Sequence, residues 1–385
     1  MARARKTDWR ELEKQQLEAL PARLHPDDWK WLRGAVKFET VDLELATTAE
    51  VMTLFPGTSD ERPGSVNDAR LIRTFLWQLW LKIKAKHSPP VQGNIRSTWY
   101  QALEPFYQKH DLIGRRALLQ GSSHQLEEAP IREIGIRKRT SEADRVATTM
   151  TDILGDFIYA HVFRFSDFVY QEPLDHRALV GRDKPKNLYF TEKEGLWRLA
   201  KELYEDKLDL GNSISVMAAN GQPSLLALDY YCQGLVSRGV RRITAGCFSD
   251  YDPWGYLIAQ GLDDKLRFLG FDVTTYYLTT ANLFSPEQIA RGRDFGDLDH
   301  DKDKALKTLV DRWMAVTNGV NGRPIGLHID VLSWGLKSAQ GQNFRKWAIV
   351  GQAGEWFPVV QPLSEAERSW RVPRTLTAKR AVRQR

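Results

Sequence analysis

Three acidic residues stand where short apolar runs give way to turns. Glu192 directly follows Asn187–Thr191, while Asp250 and Asp252 follow Ile243–Phe248 in Ser249-Asp250-Tyr251-Asp252-Pro253. An Asp-x-Asp pair in a turn can aim both carboxylates the same way, and hard divalent cations such as Mg²⁺ take oxygen donors of this kind. The chemistry such a site suits is metal-dependent phosphoryl transfer. Asp252-Pro253 also makes a good helix start, with Asp as N-cap and Pro at the first helical position. Capping would account for Asp252 alone, not for Asp250 or Glu192. A third turn, Ala219-Asn220-Gly221-Gln222-Pro223, follows Ile214–Ala218, and its glycine permits a tight turn and close approach of a ligand. Other candidates are weaker. Asp297, Asp299, Asp301 and Asp303 alternate as in a calcium loop but lack its glycine and distal glutamate. No GxxxxGK[ST] occurs, so an ATP site of that kind is not expected.

The elements that must position these acids follow from periodicity. Asn187–Thr191, Ile214–Ala218, Ile243–Phe248, Val273–Leu278 and Ile325–Val331 read as buried strands, with helical spacing between them, as at Leu196, Leu199, Leu203 and Tyr204. Strands alternating with helices imply an α/β domain with a mostly parallel sheet, and ligands of such sheets bind beyond the carboxyl ends of the strands. The first 60 or so residues read as helical and rich in Leu and Trp. Thr53–Ser65 is a turn-rich break, and a helix resumes from Asn67 through Leu71, Ile72, Phe75, Leu76, Leu79 and Trp80. Ser88-Pro89-Pro90 ends it. A further helix from Ile95 to Lys109, a short strand over Ile131–Ile136 and a helix over Glu142–Phe168 precede a charged, Pro-containing loop, Asp175–Lys186. Helix, break, helix, strand is compatible with a winged-helix module.

Composition sets the class. With 42% hydrophobic and 27% charged residues over 385 positions, the chain is ordinary globular protein, long enough for two or three cores. It shows no apolar run long enough for a membrane span and no secretory pattern at its start, so a cytoplasmic location is expected. Two cysteines, Cys232 and Cys247 in apolar segments, exclude a disulfide framework and a thiolate zinc site. The net charge of +6 is less informative than its distribution. Arg132, Arg137, Lys138 and Arg139 cluster, and no acid follows Glu367 while seven Arg and Lys residues do. Such clusters suit a phosphate backbone.

The motifs together resemble a known pattern. Glu192-Lys193-Glu194-Gly195-Leu196-Trp197, then Asn220-Gly221-Gln222-Pro223, then Asp250-Tyr251-Asp252-Pro253-Trp254-Gly255 are similar to the Toprim domain. More narrowly, they resemble the form found in topoisomerase VI A subunits and the related meiotic double-strand-break transesterase. That family carries its nucleophilic Tyr in a winged-helix domain, an aromatic residue directly before it and an Arg four positions earlier. Arg96-Ser97-Thr98-Trp99-Tyr100 fits that spacing. A phenol ionises near pH 10, about three units above neutrality, so it needs help to attack phosphorus. Residues four apart share a helix face, which lets Arg96 assist Tyr100.

The resemblance, over roughly residues 65–335, implies domains at 1–64 (helical), 65–145 (winged helix with the catalytic Tyr), 146–182 (helical linker) and 183–385 (Toprim with a basic tail). It implies Mg²⁺, with Mn²⁺ as a substitute, on Glu192, Asp250 and Asp252, with Gly221 and Asp330 in support. It further implies double-stranded DNA as substrate, a 5′-phosphotyrosyl link, a homodimer, and a separate GHKL-type ATPase B subunit for strand passage. Two departures stand out. Asn220 precedes Gly221 where a basic residue is more common, and Gly326-Leu327-His328-Ile329-Asp330 has His328 in place of the family's Glu. Two other readings remain open: a Toprim nuclease that activates water, with Tyr100 structural, and a non-catalytic DNA-binding scaffold.

Overall fold

The computed structural model describes residues 8–24, 26–57, 66–91, 95–112, 150, 153–158, 160–168, 177–193, 214–219, 221–296, 304–332, 338, 342–343, 346–347 and 356–359. The chain divides into two compact units, one reaching Leu174 and the other spanning Asp175–Ser369. The strand expected over Ile131–Ile136, the basic cluster Arg132, Arg137, Lys138 and Arg139, the alternating Asp297–Asp303 segment and the basic tail lie outside the described residues.

The first unit is helical, with α1 (Trp9–Arg23), α2 (Pro26–Ala35), α3 (Thr48–Leu54) and α4 (Asp68–Lys84). Leu71, Ile72, Phe75, Leu76, Trp77 and Trp80 are buried along α4, which makes it the hub of the unit's core. A polar row on α4, each residue one turn beyond the last, holds the backbone that wraps it. Thr74 accepts from the Lys37 amide at 2.9 Å, and Gln78 bonds Leu43 N and Val41 O at 2.9 and 3.0 Å. Lys82 pairs with Asp42 at 2.6 Å and with Glu44 at 2.9 Å. Buried polar groups are tolerated here because each has a partner.

The helix expected from Ile95 to Lys109 forms with an interruption. Residues Ile95–Thr98 (α5) and Glu104–Lys109 (α6) are α-helical, and Trp99–Leu103 between them is one π turn. Pro105 explains it. Proline brings no N–H for the i−4 carbonyl and its ring crowds that carbonyl, so the ladder loosens and Glu104 N bonds Trp99 O, five residues back. The helix expected over Glu142–Phe168 ends before Phe168, and residues 142–149 lie outside the described residues. Residues 153–158 are helical, but His161 takes a left-handed φ of 52° and Val162 N closes on Phe157 O at 2.9 Å. That is a helix-ending bond pattern, made here without the usual glycine.

The second unit is mixed α/β, built on a six-stranded, mostly parallel sheet. Its strands are β1 (Arg177–Leu179), β2 (Asn187–Thr191), β3 (Ile214–Ala218), β4 (Arg242–Phe248), β5 (Asp272–Tyr277) and β8 (Phe357–Pro358), ordered β1-β3-β2-β4-β5-β8. The inner four are parallel, and β1 and β8 add antiparallel edges. Helices α7 (Leu225–Val236) and α8 (Pro253–Phe268) join successive strands, and α9 (Pro286–Ala290) and α10 (Lys304–Thr317) follow. Buried side chains of the inner strands, among them Phe190, Val216, Ala245 and Val273, share a core with Leu228, Tyr256, Leu262 and Trp313 from the helices. Both cysteines are buried and unbridged.

The strand expected over Ile325–Val331 is not part of this sheet. Only Ile325–Gly326 (β7) is extended, paired antiparallel with β6 (Arg293–Asp294), and Ile329–Val331 winds into a 3-10 turn. The cause lies in what claims its backbone. Leu327 exchanges both hydrogen bonds with Tyr251, and Ile329 N donates to the Asp250 carboxylate at 2.8 Å. The segment therefore crosses the residues following β4 rather than extending a ladder.

Candidate metal centre

Chain order through the sheet places a crevice where the acids are. From β2 the chain steps to β3 on one side; from β4 it steps to β5 on the other. The carboxyl ends of the neighbouring strands β2 and β4 therefore flank a topological switch point, the usual ligand crevice of an open parallel sheet. Glu192 leaves β2 there, and Asp250 and Asp252 leave β4.

Asp250 is the hub. Its Oδ1 accepts from Ile329 N, and its Oδ2 lies 2.9 Å from His328 Nδ1 and 3.1 Å from Lys193 Nζ. Its own amide donates to Glu192 Oε2 at 3.1 Å, which fixes the glutamate against the turn. Asp252 caps α8, accepting from Gly255 N at 2.7 Å with Pro253 in the first turn, as the Asp-Pro pair suggested. Gly255 is required there: a Cβ would stand 1.8 Å from the Asp250 carbonyl oxygen. Gly221 has φ 89° and its amide donates to Glu192 O at 3.1 Å, so the third turn closes on the first.

Ligand atoms of Asp250, Asp252 and His328 lie within 4.8 Å of one another, a group able to hold a metal ion. Of the expected trio, Asp250 and Asp252 fall in this group together with His328, and Glu192 Oε2 accepts from the Asp250 amide. A carboxylate only accepts, so His328 Nδ1 donates to Asp250 at 2.9 Å.

The electrostatics also suit a cation. Burial raises the Glu192 pKa above the usual carboxylate value, and the Asp250 charge raises it further. Burial likewise raises that of Asp252, partly offset by the Gly255 amide. Burial works against the Lys193 ammonium, but the Asp250 and Glu192 carboxylates outweigh it and raise its pKa. Lys193 Nζ lies 3.1 Å from Asp250, 3.2 Å from Asp330 and 3.7 Å from Glu192. Its ammonium shows that this carboxylate nest takes a positive charge. The oxygen donors fit Mg²⁺, and the imidazole nitrogen extends the fit to Mn²⁺ and other transition ions.

Sequence reasoning left out Lys193 and left the role of His328 open. Their one signal was adjacency to motif acids, Lys193 within Glu-Lys-Glu and His328 two residues before Asp330. Asp330, expected in support, reaches the site through Lys193. Tyr100 and Arg96 belong to the first unit. Tyr100 lies in the π turn and is 50% exposed, while Trp99 beside it is buried and packs 5.6 Å from Tyr107.

No protein-family model matches the sequence, and no curated protein matches it.

Proposed function

We propose that this chain cleaves DNA by metal-dependent tyrosine transesterification, in the manner of a topoisomerase VI A subunit, with Tyr100 as nucleophile. The observation that carries the reading is the convergence of Asp250, Asp252, His328 and Glu192 at the switch point of a parallel sheet, as a Toprim site requires. Tyr100 supports it from the other unit: an exposed phenol in a π turn, a distortion frequent at functional sites. The winged-helix assignment of residues 65–145, the homodimer and a separate ATPase partner rest on the motif resemblance.

Asp250, Asp252 and His328 would hold the divalent cation, with Glu192 in support. When bound, the ion supplies charge stabilisation to the phosphoryl oxygens and the leaving oxygen. The Tyr100 phenol gives up its proton and its oxygen bonds to phosphorus. The bond from phosphorus to the deoxyribose 3′-oxygen breaks, and that oxygen takes up a proton. The phosphodiester becomes a 5′-phosphotyrosyl ester, so the step is reversible. Arg96, one helical turn before Tyr100, stabilises the phenolate or the phosphoryl charge. Lys193, held among the Asp250, Glu192 and Asp330 carboxylates, would present its ammonium to the phosphate.

The Asp250–His328 pair favours a second reading. An imidazole oriented by a carboxylate is a general base, and it would take a proton from water in a hydrolytic nuclease. Supercoiled plasmid incubated with Mg²⁺ or Mn²⁺ tests both: cleavage by the wild type and none by Asp250→Ala or Asp252→Ala is expected. Undiminished cleavage by those variants would remove the metal-site proposal.

A further inference from the structure

A cleft of about 260 Å³ opens beside the metal cluster, lined by Asp252, Trp254, Arg293, Phe295, Gly326 and His328. Two of these residues belong to the cluster; the other four bring different chemistry. Trp254 follows the capping Asp252-Pro253 pair and, at 39% exposed, is the most exposed of the described tryptophans. Its ring is buttressed by Phe295, 5.5 Å away at 56°. The Arg293 guanidinium lies 4.9 Å from the Phe295 ring centre and 5.6 Å from that of Trp254. Among the described residues no carboxylate pairs with it. Gly326 keeps the floor open, since a Cβ there would meet Phe295 at 2.6 Å and Asp252 Cβ at 3.1 Å.

We propose that this cleft receives the nucleobase next to the phosphate under attack, an inference that rests on the DNA-cleavage reading. A buttressed tryptophan face with an adjacent guanidinium is a stacking platform for a flat π-system. The cleft is smaller than the roughly 300–1,000 Å³ pockets that enclose drug-sized ligands. It therefore takes a base, leaving sugar and phosphate toward Asp252 and His328 on its wall. A base in the cleft has left its stack, so single-stranded or frayed DNA binds better than closed duplex. Stacking supplies most of the recognition, so sequence preference is weak.

The test measures binding of the full chain to two labelled probes by fluorescence anisotropy. One is a short oligothymidylate; the other is an abasic deoxyribose-phosphate chain of equal length. The wild type is expected to bind oligothymidylate more tightly, and Trp254→Ala to lose roughly 5- to 150-fold of that affinity, the range for stacking one base. Trp254→Ala should leave the abasic chain's affinity unchanged, and Trp254→Phe should retain most of the oligothymidylate affinity. Equal loss for both probes, or for neither, overturns the subsite. Plasmid cleavage run in parallel separates the two claims. Asp250-dependent cleavage with no discrimination between probes removes the subsite alone; no cleavage and no binding removes the DNA reading with it.

Discussion

Gly255→Ala should damage the second unit and its site together. An alanine Cβ would stand 1.8 Å from the Asp250 carbonyl oxygen and 2.8 Å from its carbonyl carbon. Ordinary carbon–oxygen contacts begin near 3.3 Å, so about 1.5 Å of separation must be found. No flexible side chain can yield it. The obstacle is backbone, held by the Tyr277 hydroxyl on Asp250 O, the Glu192 carboxylate on Asp250 N and the paired bonds between Tyr251 and Leu327. Overpacking of this kind costs about 3 kcal/mol, equivalent to a Tm lower by roughly 6–12 °C for a domain of about 200 residues. The turn that moves carries Asp250 and Asp252, and a shift of about 1 Å in such a group costs on the order of 100-fold in activity. Thermal unfolding followed by circular dichroism, with Mn²⁺ titration calorimetry on the same variant, reads both effects. Gly221→Ala is the control. It pays only for φ 89°, with nothing within 4 Å of a Cβ, so about 1–2 kcal/mol is expected. A Gly255→Ala protein with wild-type Tm and metal affinity would refute the packing argument.

Three further outcomes are expected. Gly34→Ala should stabilise the first unit by about 0.5–1 kcal/mol, because Gly34 lies inside α2 with nothing within 4 Å of a Cβ; a lower urea midpoint would contradict this. Glu13 is buried with its carboxylate accepting from Trp77 Nε1 at 2.8 Å, and burial raises its pKa. The folded state therefore favours the protonated form, and stability falls as pH rises from the ordinary glutamate value through the raised one. Glu13→Gln keeps the acceptor and carries no charge, so its urea midpoint should overtake the wild type's as pH rises from about 4 to about 8; parallel curves would oppose it. Lys193→Gln removes the ammonium that shares the carboxylates, and calorimetry should show Mn²⁺ binding on the order of tenfold tighter. Weaker binding would mean that Lys193 organises the site instead of competing for it.

Legibility in the sequence followed burial. β2 and β3 run over the residues their apolar patterns marked, because inner parallel strands are covered on both faces and must be apolar throughout. β1 and β8 escaped notice: they are three and two residues long, and edge pairing rather than composition makes them strands. The Ile325–Val331 run has strand composition, yet Asp250 and Tyr251 capture its backbone, which no local pattern reveals. The acids were legible because strand ends and an Asp-x-Asp-Pro turn mark them. His328 joins the site only through the pairing that lays Leu327 across Tyr251, and Lys193 through the pairing of β2 with β4.

The proposed attack of Tyr100 on DNA is measured most directly through its covalent product. Supercoiled plasmid is incubated with the full chain and Mn²⁺ or Mg²⁺, quenched with denaturant and examined for protein linked to DNA 5′ ends. Linked DNA is expected with the wild type and none with Tyr100→Phe or Asp250→Ala. Cleaved DNA bearing no linked protein, with Tyr100→Phe as active as the wild type, would contradict the account.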